Sequence, residues 1–122
     1  MNVLVGISSP ENSVAPLTRI ADRAAATGEQ VTVAIVGDEY SDADREKLEQ
    51  EATDVLSDAG VSATIRQVTG EPGTQLVDIA ESEGFDEVVI GGGTTSPMGK
   101  IKIDKTTEFV LLNSHTTVTL VR

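Results

Sequence analysis

The stretch Glu87-Val88-Val89-Ile90-Gly91-Gly92-Gly93-Thr94, continued by Thr95-Ser96-Pro97-Met98-Gly99-Lys100, decides the fold. Val88, Val89 and Ile90 are apolar in succession, with no polar alternation. That marks a strand covered on both faces, as in a parallel sheet under helices. Gly91 ends the strand and opens a loop that runs to about Asp104. Thr106 to Asn113 then reads as a helix with Phe109, Val110 and Leu112 facing the core, and Thr117 to Val121 reads as a final strand.

The same grammar holds upstream. Asn2 to Ile7 is a short apolar run and reads as a buried strand, broken by Ser8 to Asn12. Ser13 to Thr27 has Pro16 in its first turn and Leu17, Ile20, Ala21 and Ala24 on one face, which predicts a helix stopped at Gly28. Val31 to Val36 is a second strand, ended by Gly37-Asp38. Ser41, with Asp44 three residues later, resembles a capping box. The helix it opens carries Leu48, Ala52, Val55, Leu56 and Ala59 on one stripe, with Gly60 at its end. Val61 to Val68 alternates, which predicts a third strand at a sheet edge with one wetter face. Gly70-Glu71-Pro72 turns into a third helix with Leu76, Val77, Ile79 and Ala80 inward, closed at Gly84. Strict strand–helix alternation with short connections implies right-handed crossovers and a parallel sheet covered on both faces. The 122 residues fit one domain, with no repeat, linker or low-complexity tract.

Composition narrows the function. The absence of cysteine excludes disulfides, thiolate chemistry and cysteine-ligated metals. The N-terminus lacks a basic segment followed by a long apolar stretch, so no signal peptide is expected, and no apolar run reaches membrane-spanning length. A cytoplasmic location follows as the default. The net charge of −11, from 20 acids against nine bases, repels nucleic acid and anionic membranes. Excess acid with four lysines suits either a high-salt cytoplasm, where the charges are screened, or simple solubility.

In a doubly wound sheet the ligand sits beyond the carboxyl ends of the strands, where strand order reverses. The loops after strands one and four are therefore the ones to inspect. A phospho-receiver domain needs an acidic pair after strand one, an Asp after strand three and a Lys after strand five. Ser8-Ser9, Val68-Thr69-Gly70 and the terminal Arg122 do not supply them. A flavodoxin needs a phosphate loop after strand one and aromatics for the flavin, and Ser8-Ser9-Pro10-Glu11 is a poor substitute with no aromatic nearby.

The chain instead resembles the universal stress protein family along its whole length. The resemblance rests on Val3-Leu4-Val5-Gly6-Ile7 with the turn Ser8 to Ser13, and on Val88-Val89-Ile90-Gly91-Gly92, Ser96-Pro97-Met98-Gly99-Lys100 and Asp104 to Glu108. The loop segment Gly91-Gly92, continued by Ser96-Pro97-Met98-Gly99-Lys100, is similar to that of haloarchaeal members. The resemblance implies an α/β fold, a doubly wound five-stranded parallel sheet of order 3-2-1-4-5 with helices on both faces, like adenine nucleotide alpha hydrolases. It also implies a nucleotide site. Backbone N–H groups of the loop would cradle phosphates, with the positive end of the last helix beyond them. An Asp after strand one would read the nucleoside.

Carried over position by position, that site is degenerate. The nucleoside-reading Asp falls on Ser8. Val36, at the end of strand two, is an acceptable lining residue for the base, and the first loop glycine is kept as Gly91. The second falls on Thr94, while Gly92 and Gly99 retain the frame of a cradle. The glycine that opens the last helix falls on Asp104, its Ser/Thr neighbour on Lys105, and Thr106 follows. An Asp here can cap the helix itself and repel a triphosphate. Lys100, Lys102 and Lys105 pull the other way, either as residual anion binders or as local neutralisation of acidic neighbours. Gly99-Lys100 is not a P-loop, since Gly93 lies one residue too far upstream and Ile101 stands where magnesium needs Ser or Thr.

The remaining candidates are weaker. His115 is the single histidine and has no second metal ligand of its kind. Asp38, Glu39, Asp42 and Asp44 fail as a calcium loop because Lys47 takes the sixth position from Asp42. The expected protein is a stress-response or regulatory binding module with no bound cofactor and no catalysis, tight ATP binding having been lost. The alternative is an ATP-binding member using a rearranged loop, with at most slow hydrolysis. By the same resemblance the strand Thr117 to Val121 lies at a sheet edge and pairs with its twin in a homodimer, as an edge of this composition invites.

Overall fold

A computed structural model describes residues 1–8, 13–37, 40–91 and 104–121, and the backbone of 94–95 and 101–102. The elements are β1 (Asn2–Ile7), α1 (Val14–Thr27), β2 (Gln30–Val36), α2 (Asp42–Asp58), β3 (Ala63–Val68), α3 (Pro72–Ser82), β4 (Glu87–Gly91), β5 (Thr94–Thr95), β6 (Ile101–Lys102), α4 (Lys105–Asn113) and β7 (Thr117–Val121). Five parallel strands form one sheet in the order β3-β2-β1-β4-β7. This is the expected doubly wound order 3-2-1-4-5, with alternating β3 and the final strand at the two edges.

The apolar runs predicted as buried strands are the centre of the molecule. Val3, Leu4, Val5, Val33, Ile35 and Val88 are at or near zero exposure. Side chains alternate across the sheet, so Val3, Val5, Val33 and Ile35 join α1 and α2 on one face. Leu4, Ala34, Val36, Val88 and Ile90 pack on the other face with Leu76, Ile79, Ala80 and Val110 of α3 and α4. Gly6 decides how closely α3 sits, because a Cβ there would lie 2.7 Å from Leu76 Cδ1.

Helix ends follow their sequence signals. Ser41 caps α2, its side chain accepting from the Asp44 N–H at 3.1 Å. Gly28, Gly60 and Gly84 lie past the ends of α1, α2 and α3 with φ near +70°, the left-handed conformation in which glycine has no steric cost.

Two readings change. The sequence predicts a plain loop from Gly91 to about Asp104. That span contains a short antiparallel ribbon, Thr94 opposite Lys102 and Thr95 opposite Ile101. On α4, Val110 is buried but Phe109 is 36% and Leu112 is 75% exposed. The nine-residue helix turns Thr107 and Val110 inward, and at 100° per residue Leu112 then points to the opposite side. Phe109 lies over α3, where Gly73 leaves room for its ring.

At the amino ends of the strands, a polar cluster joins α1 to the sheet. Arg23 of α1 donates to Glu87 Oε1 at 2.9 Å and to Glu29 Oε1 at 2.9 Å. Thr119 of β7 donates its hydroxyl proton to Glu87 Oε2 at 2.6 Å. Burial pushes the Glu87 carboxyl up, but the Arg23 hydrogen bonds, the Thr119 hydroxyl and the Arg23 charge outweigh it and leave the group below its usual range.

Candidate functional site

The parallel register brings the sequence-predicted positions to one edge. Ile7 pairs with Ile35, and Gly6 lies level with both Ala34 and Ile90. Ser8, Val36 and Gly91 therefore end their three strands side by side, at the point where the chain order reverses between β1 and β4. Ser8 is half-buried, while Val36 and Gly91 are buried. The start of α4, Asp104 to Thr106, reaches the same end of the sheet, because α4 leads into β7, which runs parallel to β4. Thr94 lies in the short ribbon, and Gly92, Gly99 and Lys100 fall outside the described residues.

Asp104 takes the role its position suggested. Its backbone is extended, at φ −75° and ψ 172°, and it is the N-cap of α4. Oδ1 accepts the Thr107 N–H at 2.8 Å, and the Asp104 carbonyl accepts the Glu108 N–H at 3.0 Å. The first turn of a helix has N–H groups without intrahelical partners and carries the positive end of the dipole. Here a carboxylate of the chain has taken that place. A second acid, Glu108, lies in the same turn. Lys105 is exposed and Thr106 half-buried at the helix start. Among the described side chains of this helix end, an approaching anion meets one N–H already used and two carboxylates, Asp104 and Glu108, beside the cation Lys105.

The next strand end is closed by a residue that sequence reasoning missed. Gly37 follows β2 with φ +137°, a conformation favouring glycine, and its N–H donates to the Val68 carbonyl at 3.1 Å. Its own carbonyl accepts from Arg45 Nη2, while Arg45 Nη1 donates to Gln67 Oε1 at 3.3 Å. The guanidinium also lies 5.6 Å from the centre of the Tyr40 ring. Arg45 thus ties the carboxyl ends of β2 and β3 together and occupies the backbone carbonyl just past Val36. Its place on a strongly acidic helix reads as solvated surface, so no local pattern could have singled it out.

His115 is exposed and far from this edge. Its ring Nδ1 lies 3.0 Å from Glu81 Oε1, and its backbone N–H donates to the same oxygen at 3.1 Å. Among the described residues no helix is long and apolar enough to cross a membrane.

Comparison with known proteins agrees with the geometry. The universal stress protein family model matches residues 1–122. A universal stress protein from Archaeoglobus fulgidus superposes with a TM-score of 0.79 at 21% identity, covering 99% of this chain and 97% of its own. A universal stress protein solved in complex with cAMP gives a TM-score of 0.79 at 26% identity, covering 100% and 96%. A second Archaeoglobus fulgidus structure, in complex with dAMP, gives 0.75 at 17% identity, covering 99% and 96%. No curated protein matches. By the family match over its full length and by its sheet topology, the chain belongs to the universal stress protein family.

Proposed function

We propose that this protein is a stress-response regulatory binding module, homodimeric and non-catalytic, in which tight ATP binding has been lost. The observation that carries the reading is the Asp104 cap: its carboxylate accepts the Thr107 N–H where a nucleotide-binding member would keep a glycine and a free helix end. A triphosphate brought there is repelled by Asp104 and Glu108 rather than held. Ser8, in place of a nucleoside-reading Asp, weakens the other end of the site. The dimer is supported by the position of β7 at the sheet edge, and by the absence of any Asp, Glu, Lys or Arg from Phe109 to Val121 in a chain of net charge −11. The same charge suits a salt-rich cytoplasm and opposes nucleic-acid or membrane partners.

A second reading, an adenine-nucleotide binder with a rearranged loop and at most slow hydrolysis, is favoured by the cAMP complex of the 26%-identical relative and by Lys100, Lys102 and Lys105. Calorimetry with ATP and magnesium in high salt separates the two. No heat of binding in the micromolar range is expected for the native chain, and micromolar binding overturns the first reading.

A further inference from the structure

At the opposite end of the sheet, over the amino ends of β2 and β3, lies an open groove of about 520 Å³. It exists because helices do not cover this corner. α3 and α4 pack their apolar faces on Leu4, Ala34, Val36, Val88 and Ile90, with Val68 of β3 against the same cluster, which leaves the amino end of β3 at Thr64 exposed on that side. Thr32 and Thr64 are register partners on the exposed face and stand side by side as the floor. The half-buried Phe85 ring forms one wall, and the carboxamides of Asn2 and Gln30 form the rim.

The chemistry of this lining is specific in what it excludes. The side chains of Asn2, Gln30, Thr32 and Thr64 make no hydrogen bond to any described residue, so all are available to a ligand. The one acid, Glu83, is already held by Arg66, whose Nη1 donates to both carboxylate oxygens at 2.8 and 2.7 Å. The lining thus carries no unpaired charge in a chain of net charge −11, with Asp86 outside it, held on the Asn2 N–H at 2.8 Å. Hydroxyls and carboxamides both donate and accept, and the threonine methyls and the Phe85 ring offer apolar surface between them. This mixture matches a molecule with hydroxyls on its rim and C–H groups on its face. We propose that the groove binds a neutral saccharide of one or two rings. Its volume falls in the range of small-molecule sites. The proposal stands apart from the nucleotide reading, since the two sites lie at opposite ends of the sheet.

The test is an amide-resolved NMR titration of the full chain in high salt with maltose, and with glucosamine and glucose 6-phosphate as charged probes. Maltose is expected to give saturable shifts at Thr32, Thr64 and Phe85 with a millimolar dissociation constant. The near-isosteric Thr64→Val, which removes one hydroxyl from an exposed position, should weaken maltose by about five-fold while leaving the remaining spectrum in place. Absence of saturation at these amides, tighter binding of either charged sugar, or unchanged affinity in Thr64→Val overturns the assignment.

Discussion

Asp104 Oδ1 accepts the Thr107 N–H at 2.8 Å, so the helix that faces the strand-order reversal is capped by its own chain. Losing such a cap costs about 0.5–2 kcal/mol. Asp104→Ala should therefore lower the urea midpoint and speed hydrogen exchange at the Thr107 amide. An unchanged midpoint and exchange rate would show that the cap contributes nothing.

On the proposed reading, replacing the cap should free the helix end for an anion. Asp104→Gly with Lys105→Ser removes the carboxylate and returns the glycine–hydroxyl pair that the family pattern places at the start of the last helix. ATP binding, measured by calorimetry, should strengthen at least about ten-fold over the native chain, about 1.4 kcal/mol. Equal affinities in the two proteins would mean that the loop, and not the cap, sets nucleotide binding.

Glu87 gives stability a defined dependence on acid. Its carboxyl lies below the ordinary value in the folded chain, because hydrogen bonds from Arg23 and Thr119 and the Arg23 charge outweigh burial. A lowered folded pKa means that the unfolded chain binds the proton first. The stabilisation is complete above the usual carboxylate range and is lost as pH falls through the folded value. Glu87→Gln should cost about 1–3 kcal/mol at pH 7 and flatten the acid limb of the stability curve. The contrast between variant and native protein should shrink as the pH is lowered through the folded value.

Gly6 and Leu76 form a tight contact at the centre of the sheet. A Cβ at Gly6 would come within 2.8 Å of both Leu76 Cδ atoms, and Leu76 is only 1% exposed. Gly6→Ala should destabilise by about 1–3 kcal/mol through overpacking. Leu76→Val in the same chain should recover part of that loss, since neighbouring sites couple. Strict additivity of the two losses would place the strain elsewhere.

Much of this was legible from residue order. Val3 to Ile7, Val31 to Val36 and Val88 to Ile90 are apolar without alternation, and such runs have few stable homes other than a sheet covered on both faces. Asp104 could be read as a cap because N-cap preference is local chemistry. Phe109 and Leu112 misled because a nine-residue helix offers barely two turns of pattern, and its buried face includes the polar Thr107. Arg45 on Gly37, and Arg23 between Glu29 and Glu87, were not legible at all. Each joins residues from different elements, and each arginine looks locally like any solvated base.

The edge strand β7 carries the remaining prediction. Thr117–Val121 pairs with β4 on one side, and its other backbone edge is not paired within the sheet. Natural edges are commonly blunted by charge, yet from Phe109 to Val121 there is no Asp, Glu, Lys or Arg. Leu111 of α4 is 41% exposed on the flank of that helix away from Phe109 and α3. Two copies joining β7 to β7 about a two-fold axis would complete the backbone hydrogen bonds and bury this uncharged strip. In high salt the native chain should run at about twice its 12.8 kDa mass in light scattering. The exposed Thr117 tolerates a charge in the monomer, so Thr117→Asp should leave the fold intact and set like charges near the seam. Its mass should fall toward 12.8 kDa on dilution well before the native protein's does. A native chain that is monomeric at every concentration tested excludes the dimer, and a Thr117→Asp variant that dissociates no earlier places the interface on another surface.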